Sequence, residues 1–319
     1  MRPPSHSTLV QWLLAPFSGL YALGWLCYEQ VYGLGFKHAA EPHTPVICVG
    51  NLLVGGTGKT PLTISVAKVL LGLGRQVVIS VSGYGSPSSE AAQLAPAGPL
   101  GARQWGDEAA MIRWLLPEVP LIVGRRRVLA AELCHDRFRK SILLLDDGFQ
   151  HLPLKKDLTI LLDPDGPSSL CLPAGPYREP RRTGRKRASL VIPSRQFRLE
   201  RGPITFWTAD LQPIPPPGKA NALCAIGDPE RFRSDLKKAG IKLDLFLGLG
   251  DHDPLSAGNL LSKFQTEETL IVTAKDWVKL RERADLVGRD IIIASYEATI
   301  APADIFREWL IGQLNEISS

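Results

Sequence analysis

The sequence predicts an α/β chain of two lobes, entered through an apolar helix. Three observations carry that reading. Short continuous apolar runs alternate with helical patterns, as in a parallel sheet covered on both faces. A glycine-rich turn joins the first such run to the first such helix. A proline-rich stretch, Gln212–Pro217, then splits the series in two.

The first element is the run LVQWLLAPFSGLYALGWLCY, Leu9–Tyr28, in which Gln11 and Ser18 are the polar interruptions. A spanning helix needs roughly 20 apolar residues, so the length suffices. Pro16, Gly19 and Gly24 weaken a straight span, while Trp12, Tyr21, Trp25 and Tyr28 suit a membrane–water boundary. A helix lying in the interface, a true span and a core helix all fit the pattern, and the aromatic residues favour the first. No small-x-small cleavage site follows.

The alternating series then begins. Thr44–Gly50 reads as a buried strand, Pro61–Leu71 as a helix, Gln76–Val81 as a strand and Asp107–Leu116 as a helix. Val119–Val123, Ser141–Leu145, Leu158–Leu162 and Ser189–Ile192 read as further strands. Beyond the proline-rich stretch come a strand at Ala222–Ile226 and a helix capped by Asp228, with Pro229 at its first position and its end before Gly240. Strands at Leu243–Leu247, Leu270–Thr273 and Ile291–Ala294 and a last helix near Ala303–Leu314 complete the second lobe.

At 45% hydrophobic and 22% charged residues, the composition is that of a folded globular protein. The net charge of +5 suits anionic partners, but no nucleic-acid-binding motif accompanies it, so nucleic acid is not expected. Five scattered cysteines without a C-x-x-C pair argue against a disulfide framework or zinc site and for a reducing cytosol.

The glycine-rich turn is NLLVGGTGKTPL, Asn51–Leu62. Gly55, Gly56, Thr57 and Gly58 let successive backbone N–H groups turn inward, and the helix start adds partial positive charge. Lys59 can reach terminal phosphates, and the Thr60 hydroxyl can ligate magnesium. The general pattern G-x-x-x-x-G-K-[ST] is broken at its first glycine, where Leu53 stands. Asp146-Asp147 closes an apolar strand, the arrangement by which a nucleotide site holds magnesium directly or through water. Loop and carboxylates together define a P-loop NTPase-like sheet that binds Mg-nucleotide.

Seven blocks occur in one order: NLLVGGTGKTP, GDE (Gly106–Glu108), DDGFQH (Asp146–His151), LPAGPYREP (Leu172–Pro180), GDPERF (Gly227–Phe232), DH (Asp251–His252) and TAKDWVKL (Thr273–Leu280). Together they resemble the tetraacyldisaccharide 4'-kinase family over nearly the whole chain. The resemblance implies ATP and Mg2+ as cofactors and an acylated glucosamine disaccharide 1-phosphate as acceptor. It places the reaction at the cytoplasmic face of the bacterial inner membrane, on its lipid surface. Lys59 and Thr60 then serve nucleotide and metal, and Asp146 and Asp147 the metal. Asp107 resembles the base facing the sugar hydroxyl, with His252 orienting or tuning it; Tyr84, Gln150, His151 and Arg178 fall toward the substrate.

The chemistry fits, because phosphoryl transfer needs an in-line hydroxyl, neutralised phosphate oxygens and a carboxylate placed to take the proton. Asp107 reads equally as a helix cap, and the acidic neighbours Asp251 and Asp253 would explain His252 without catalysis. The basic run Arg178–Arg187 and Arg125–Arg127 read either as solvated faces or as contacts to lipid headgroups and the 1-phosphate. Lys275 lies in a family block, though surface charge is its default reading.

Two departures stand out. Where the family commonly has S-R-G-Y-G, this chain has Val81, Ser82, Gly83, Tyr84 and Gly85, without the arginine; Ala109 replaces the proline of GDEP. The resulting division is 1–38, a membrane-associated helix; 39–200, the P-loop kinase domain; 201–218, a linker; and 219–319, a C-terminal α/β lobe. A P-loop switch is the alternative, disfavoured for GTP because TAKD has Ala274 where a guanine signature needs lysine. A membrane-bound nucleotide sensor with degraded chemistry is the other.

Overall fold

The computed structural model describes residues 8–55, 58–166, 168–251 and 253–318. The chain opens with α1 (Thr8–Gly33) and continues as β1 (Val46–Asn51), α2 (Lys59–Gly72), β2 (Val77–Val81), β3 (Gln93–Leu94), α3 (Ala102–Trp105) and α4 (Asp107–Leu115). It proceeds through β4 (Leu121–Val123), α5 (Arg127–Arg137), β5 (Ile142–Asp146), β6 (Leu158–Leu162), α6 (Arg181–Lys186) and β7 (Leu190–Ile192). Among the described residues, these strands form one sheet in the order β3-β4-β2-β5-β1-β6-β7, parallel except for β3.

β1 is buried at all of its positions because parallel neighbours flank it on both sides. Its register with β5 sets Val49 beside Asp146, so Asp146 stands at the carboxyl edge of the sheet next to the glycine loop. Ligands bind at such edges in open α/β sheets. α2 starts at Lys59, two residues before the expected Pro61. Proline costs nothing there, since the first turn of a helix has no intrahelical acceptor for its missing N–H.

The second sheet is built from β8 (Arg198–Trp207), β9 (Pro213–Ile214), β10 (Lys219–Cys224), β11 (Lys242–Gly248), β12 (Leu270–Thr273) and β13 (Ile291–Ala301). Its order is β11-β10-β12-β13-β8-β9, with β8 and β9 antiparallel. α7 (Pro229–Lys238), α8 (Ala274–Leu280) and α9 (Ala303–Ser318) complete this lobe. Residues 201–218, expected as a linker, instead supply most of β8, all of β9 and the entry into β10. Charges at Arg198, Glu200 and Arg201 hide the strand in the sequence. They are tolerable because β8 lies near the sheet margin, where most of its positions stay partly exposed.

The two lobes share one apolar cluster. It takes Ile47, Leu62 and Ile79 from the first sheet and its helix, and Leu223, Val272 and Ile293 from the second. Polar links reinforce the junction: Trp114 Nε1 donates to the Ala209 carbonyl at 3.0 Å, and Arg281 donates to the Leu100 carbonyl. A continuous dry core of this kind fixes the relative placement of groups from both lobes.

α1 lies apart from that core. Trp12, Leu13, Phe17, Leu20 and Leu23 are exposed, and Val10–Gly33 is long and apolar enough to cross a membrane by length and composition. A core-helix assignment is therefore excluded. Three of its polar side chains meet the protein: Ser18 donates to the Cys171 carbonyl, Tyr21 to the Arg178 carbonyl at 2.6 Å, and Glu29 pairs with Arg187 at 2.8 Å.

Candidate functional site

The glycine loop is braced from below. Asn51 Nδ2 donates to the Leu53 carbonyl at 2.7 Å, and Val54 N–H donates to the Pro176 carbonyl at 2.9 Å. Leu53 pairs with Tyr177 in an isolated bridge and is buried, which accounts for a side chain where the general pattern has glycine. Gly55 and Gly58 adopt φ of 106° and 97°, conformations that glycine reaches without steric cost. Gly56 and Thr57 lie outside the described residues. Lys59 and Thr60 follow at the start of α2, where the first backbone N–H groups have no intrahelical acceptor and suit an anion.

Asp146 is buried under this helix. Its carboxylate accepts from Thr60 Oγ1 at 3.1 Å and Thr63 Oγ1 at 2.7 Å, and burial pushes its pKa up, with Asp147 adding to the rise. Asp147 adopts φ 55°, which aspartate tolerates better than most residues. That turn sends its carboxylate toward the loop, 3.6 Å from Lys59 Nζ and 3.0 Å from Arg178 Nη1. Gly50 leaves room for the same segment: a Cβ there would lie 2.4 Å from Phe149 Cβ.

Arg127 is buried and donates to the Asp146 carbonyl at 2.6 Å and to Ser80 Oγ at 2.9 Å, pinning the end of β5 from beneath. Arg125 is turned outward to Glu90 at 2.8 Å. Both are thus paired within the protein rather than set at the position of Ser82.

Asp107 opens α4, and the N-cap is Gly106, so capping is not what places the Asp107 carboxylate. Gly106, at φ 88°, packs on the Gly83 backbone, which sets the exposed Tyr84 on the rim beside it. Glu108, next in the chain, is half-buried, and its carboxyl is pushed up to about 7. Burial dominates that shift, followed by the charges of Asp146, Asp107 and Asp147, against which Lys59 acts. α4 packs against α2, so the expected base and the loop lysine head neighbouring helices at one center.

The second lobe reaches this center through α8. Lys275 Nζ lies 3.7 Å from Asp107 and 3.1 Å from Asp251; Lys279 Nζ lies 3.9 Å from Asp107. His252 lies outside the described residues, between Asp251 and Asp253. Lys275 is therefore no loose surface charge. Only its place in the TAKD block signalled this.

The remaining expected site residues divide. Arg178 joins the center through Asp147. Gln150 points inward instead, donating to the Asn51 carbonyl at 2.9 Å and to Glu179 at 2.8 Å. His151 Nε2 is buried without a hydrogen-bond partner among the described residues, and its pKa is pushed down to about 4 by burial, Lys156 and Arg127. It is neutral at physiological pH. Much of the basic run also folds inward: Arg181 and Arg185 grip the buried Asp163 at 2.8 and 2.7 Å, and Arg187 pairs with Glu179 and Glu29. Burying a carboxylate is tolerable only with such partners.

A parallel sheet with a lysine-bearing glycine loop, strand-end carboxylates and a further aspartate opposite a second lobe defines a P-loop phosphotransferase. The family profile described as tetraacyldisaccharide-1-P 4'-kinase (LpxK) matches residues 10–315, and the chain belongs to that family. It is 34% identical to a tetraacyldisaccharide 4'-kinase of Geobacter metallireducens, with 85% of this chain and 89% of the relative covered. It is 32% identical to one from Herminiimonas arsenicoxydans, with 96% and 92% covered. A crystal structure of LpxK from Aquifex aeolicus in complex with ATP matches with a TM-score of 0.80 at 26% identity, covering 95% of this chain and 99% of the other.

Proposed function

We propose that this chain transfers the γ-phosphate of ATP to the 4'-hydroxyl of a tetraacylated glucosamine disaccharide 1-phosphate, with Asp107 accepting the hydroxyl proton. One observation carries the reading: α4, which starts at Asp107, packs against α2, which starts at Lys59 and holds Asp146 through Thr60. The acceptor's proton sink and the donor's phosphate cradle thus adjoin, as in-line transfer demands.

Lys59, Gly55, Gly58 and the first turn of α2 hold the triphosphate, and Gly56 and Thr57 belong to the same loop. Thr60, Asp146 and Asp147 are the residues that would hold magnesium. One or two carboxylates, with phosphate oxygens and water, suffice for such a cation. When bound, Mg2+ neutralises charge on the phosphate oxygens. Asp107 orients the 4'-hydroxyl and takes its proton, and His252, from the other lobe, tunes that carboxylate. Tyr84 and Arg178 supply the rim that meets the sugar and its phosphate. Gln150 and His151 act from beneath, by shaping the DDGFQH segment.

The exposed apolar side of α1 supports a setting on a lipid surface, at the cytoplasmic face of the inner membrane. Incubation with γ-labelled ATP and the lipid disaccharide separates the readings. Label in the lipid is expected; release of free phosphate alone would indicate a switch, and retained ATP a sensor.

A further inference from the structure

α8 presents two lysines one turn apart, at i and i+4, to the same carboxylate. They differ in what else they touch. Lys275 is partly exposed and spans Asp107 and Asp251. Lys279 is nearly enclosed, at 7% exposure, and its ammonium is fully committed to the protein. It donates to the Asp253 carbonyl at 3.1 Å, lies 3.6 Å from Asp276 Oδ1 and lies 3.9 Å from Asp107 Oδ2.

Asp276 is itself immobilised. Its Oδ2 accepts from Thr273 Oγ1 at 2.6 Å and from the Ala225 N–H at 3.0 Å, which ties it to the start of α8 and the end of β10. The ammonium of Lys279 therefore has a fixed seat. From that seat it reaches the aspartate at the head of α4 in the first lobe and the backbone immediately after His252 in the second. Asp251, immediately before His252, is held by Lys275 of the same helix.

We propose that Lys279 is a positioning residue for phosphoryl transfer: seated on Asp276, it holds the Asp107 carboxylate and the Asp253 backbone in one frame across the two lobes. The inference rests on Asp107 being the base. A counter-ion for Asp276 alone would need no second and third partner. Enclosing an ammonium costs more than an apolar side chain of similar length, so stability by itself does not account for a lysine at this position.

The test compares Lys279→Met, Lys279→Arg and Asp107→Ala, alone and combined, in the full chain. A misplacement of about 1 Å costs up to about a hundredfold in rate, so Lys279→Met should lower kcat by roughly 30- to 100-fold. ATP affinity should stay within about twofold, because the lysine touches no part of the phosphate cradle. Lys279→Arg should recover part of the loss, and Lys279→Met should cost nothing further once Asp107 is alanine. A Lys279→Met enzyme with near-native kcat, a loss confined to ATP affinity, or full additivity with Asp107→Ala would each overturn the proposal. Native turnover in Asp107→Ala would instead overturn the base assignment beneath it. Should Lys279→Met fail to fold, Asp276→Asn/Lys279→Met removes the buried charge pair together and is read by the same criteria.

Discussion

Lys59 and Asp147 face each other at 3.6 Å across the mouth of the glycine loop, and Arg178 approaches the same carboxylate at 3.0 Å. The cations that would receive the phosphates are therefore paired with an anion. Removing the Asp147 charge frees both. Asp147→Asn is expected to bind metal-free ATP about three- to tenfold tighter, an effect of the size of a partly exposed ion pair. Mg-dependent turnover should fall in the same variant. Calorimetric titration with ATP in EDTA and with Mg-ATP checks both directions.

Asp107→Ala removes the expected proton acceptor but leaves Lys59, Thr60 and Asp146 in place. General-base loss typically costs about 10²- to 10⁴-fold, so kcat should drop in that range with ATP affinity little changed. Comparable losses in both would show that the residue supports the fold or the nucleotide instead.

The Glu108 carboxyl is raised from 4.5 to about 7 in the folded protein. Between those values the folded state keeps a proton that the unfolded chain has released. Its contribution is thus fully present below about pH 4.5 and is lost as pH rises toward 7. The shift corresponds to about 3 kcal/mol, so Glu108→Gln should flatten the decline and stabilise the ligand-free protein at pH 8. Urea unfolding of both proteins from pH 5 to 8 measures it, and parallel curves would refute the assignment.

Leu13 and Leu20 on α1 are 66% and 67% exposed and touch none of the groups that seat the helix on the protein. Placing glutamate at both should weaken binding to lipid vesicles by tenfold or more, since a charge moved into the hydrocarbon core costs about 2.5–3.5 kcal/mol. Thermal stability should hold, because Ser18, Tyr21 and Glu29 keep their partners. Undiminished co-sedimentation with vesicles would mean that another surface carries the attachment.

Gly50→Ala forces a methyl group against Phe149, in the turn that also carries Asp147. Overpacking of this kind costs about 1–3 kcal/mol. Lowered thermal stability together with weakened Mg-ATP binding is expected; an unchanged melting temperature would show that the turn gives way freely.

The sequence by itself determined the features written in neighbouring residues. Gly55 to Thr60 form a phosphate cradle within six positions, Asp146 and Asp147 close an apolar run, and the buried strands of the first sheet need only consecutive aliphatic side chains. The family blocks added the expectation of the acceptor and of Asp107 as its base. Tertiary structure decided what depends on distant partners. β8 carries too many charges to read as a strand until β13 is seen beside it. Arg127, at the start of α5, is buried because Ser80 and the Asp146 carbonyl receive it, partners that no local pattern records. The basic run looked like a surface for anions, yet Asp163, Glu179 and Glu29 consume much of it. Glu108, Lys275 and Lys279 gained their place at the center only because a shared core packs α8 against α4. Local pattern records backbone geometry and burial; ion pairs between residues some 170 positions apart exist only once that packing has set the distance.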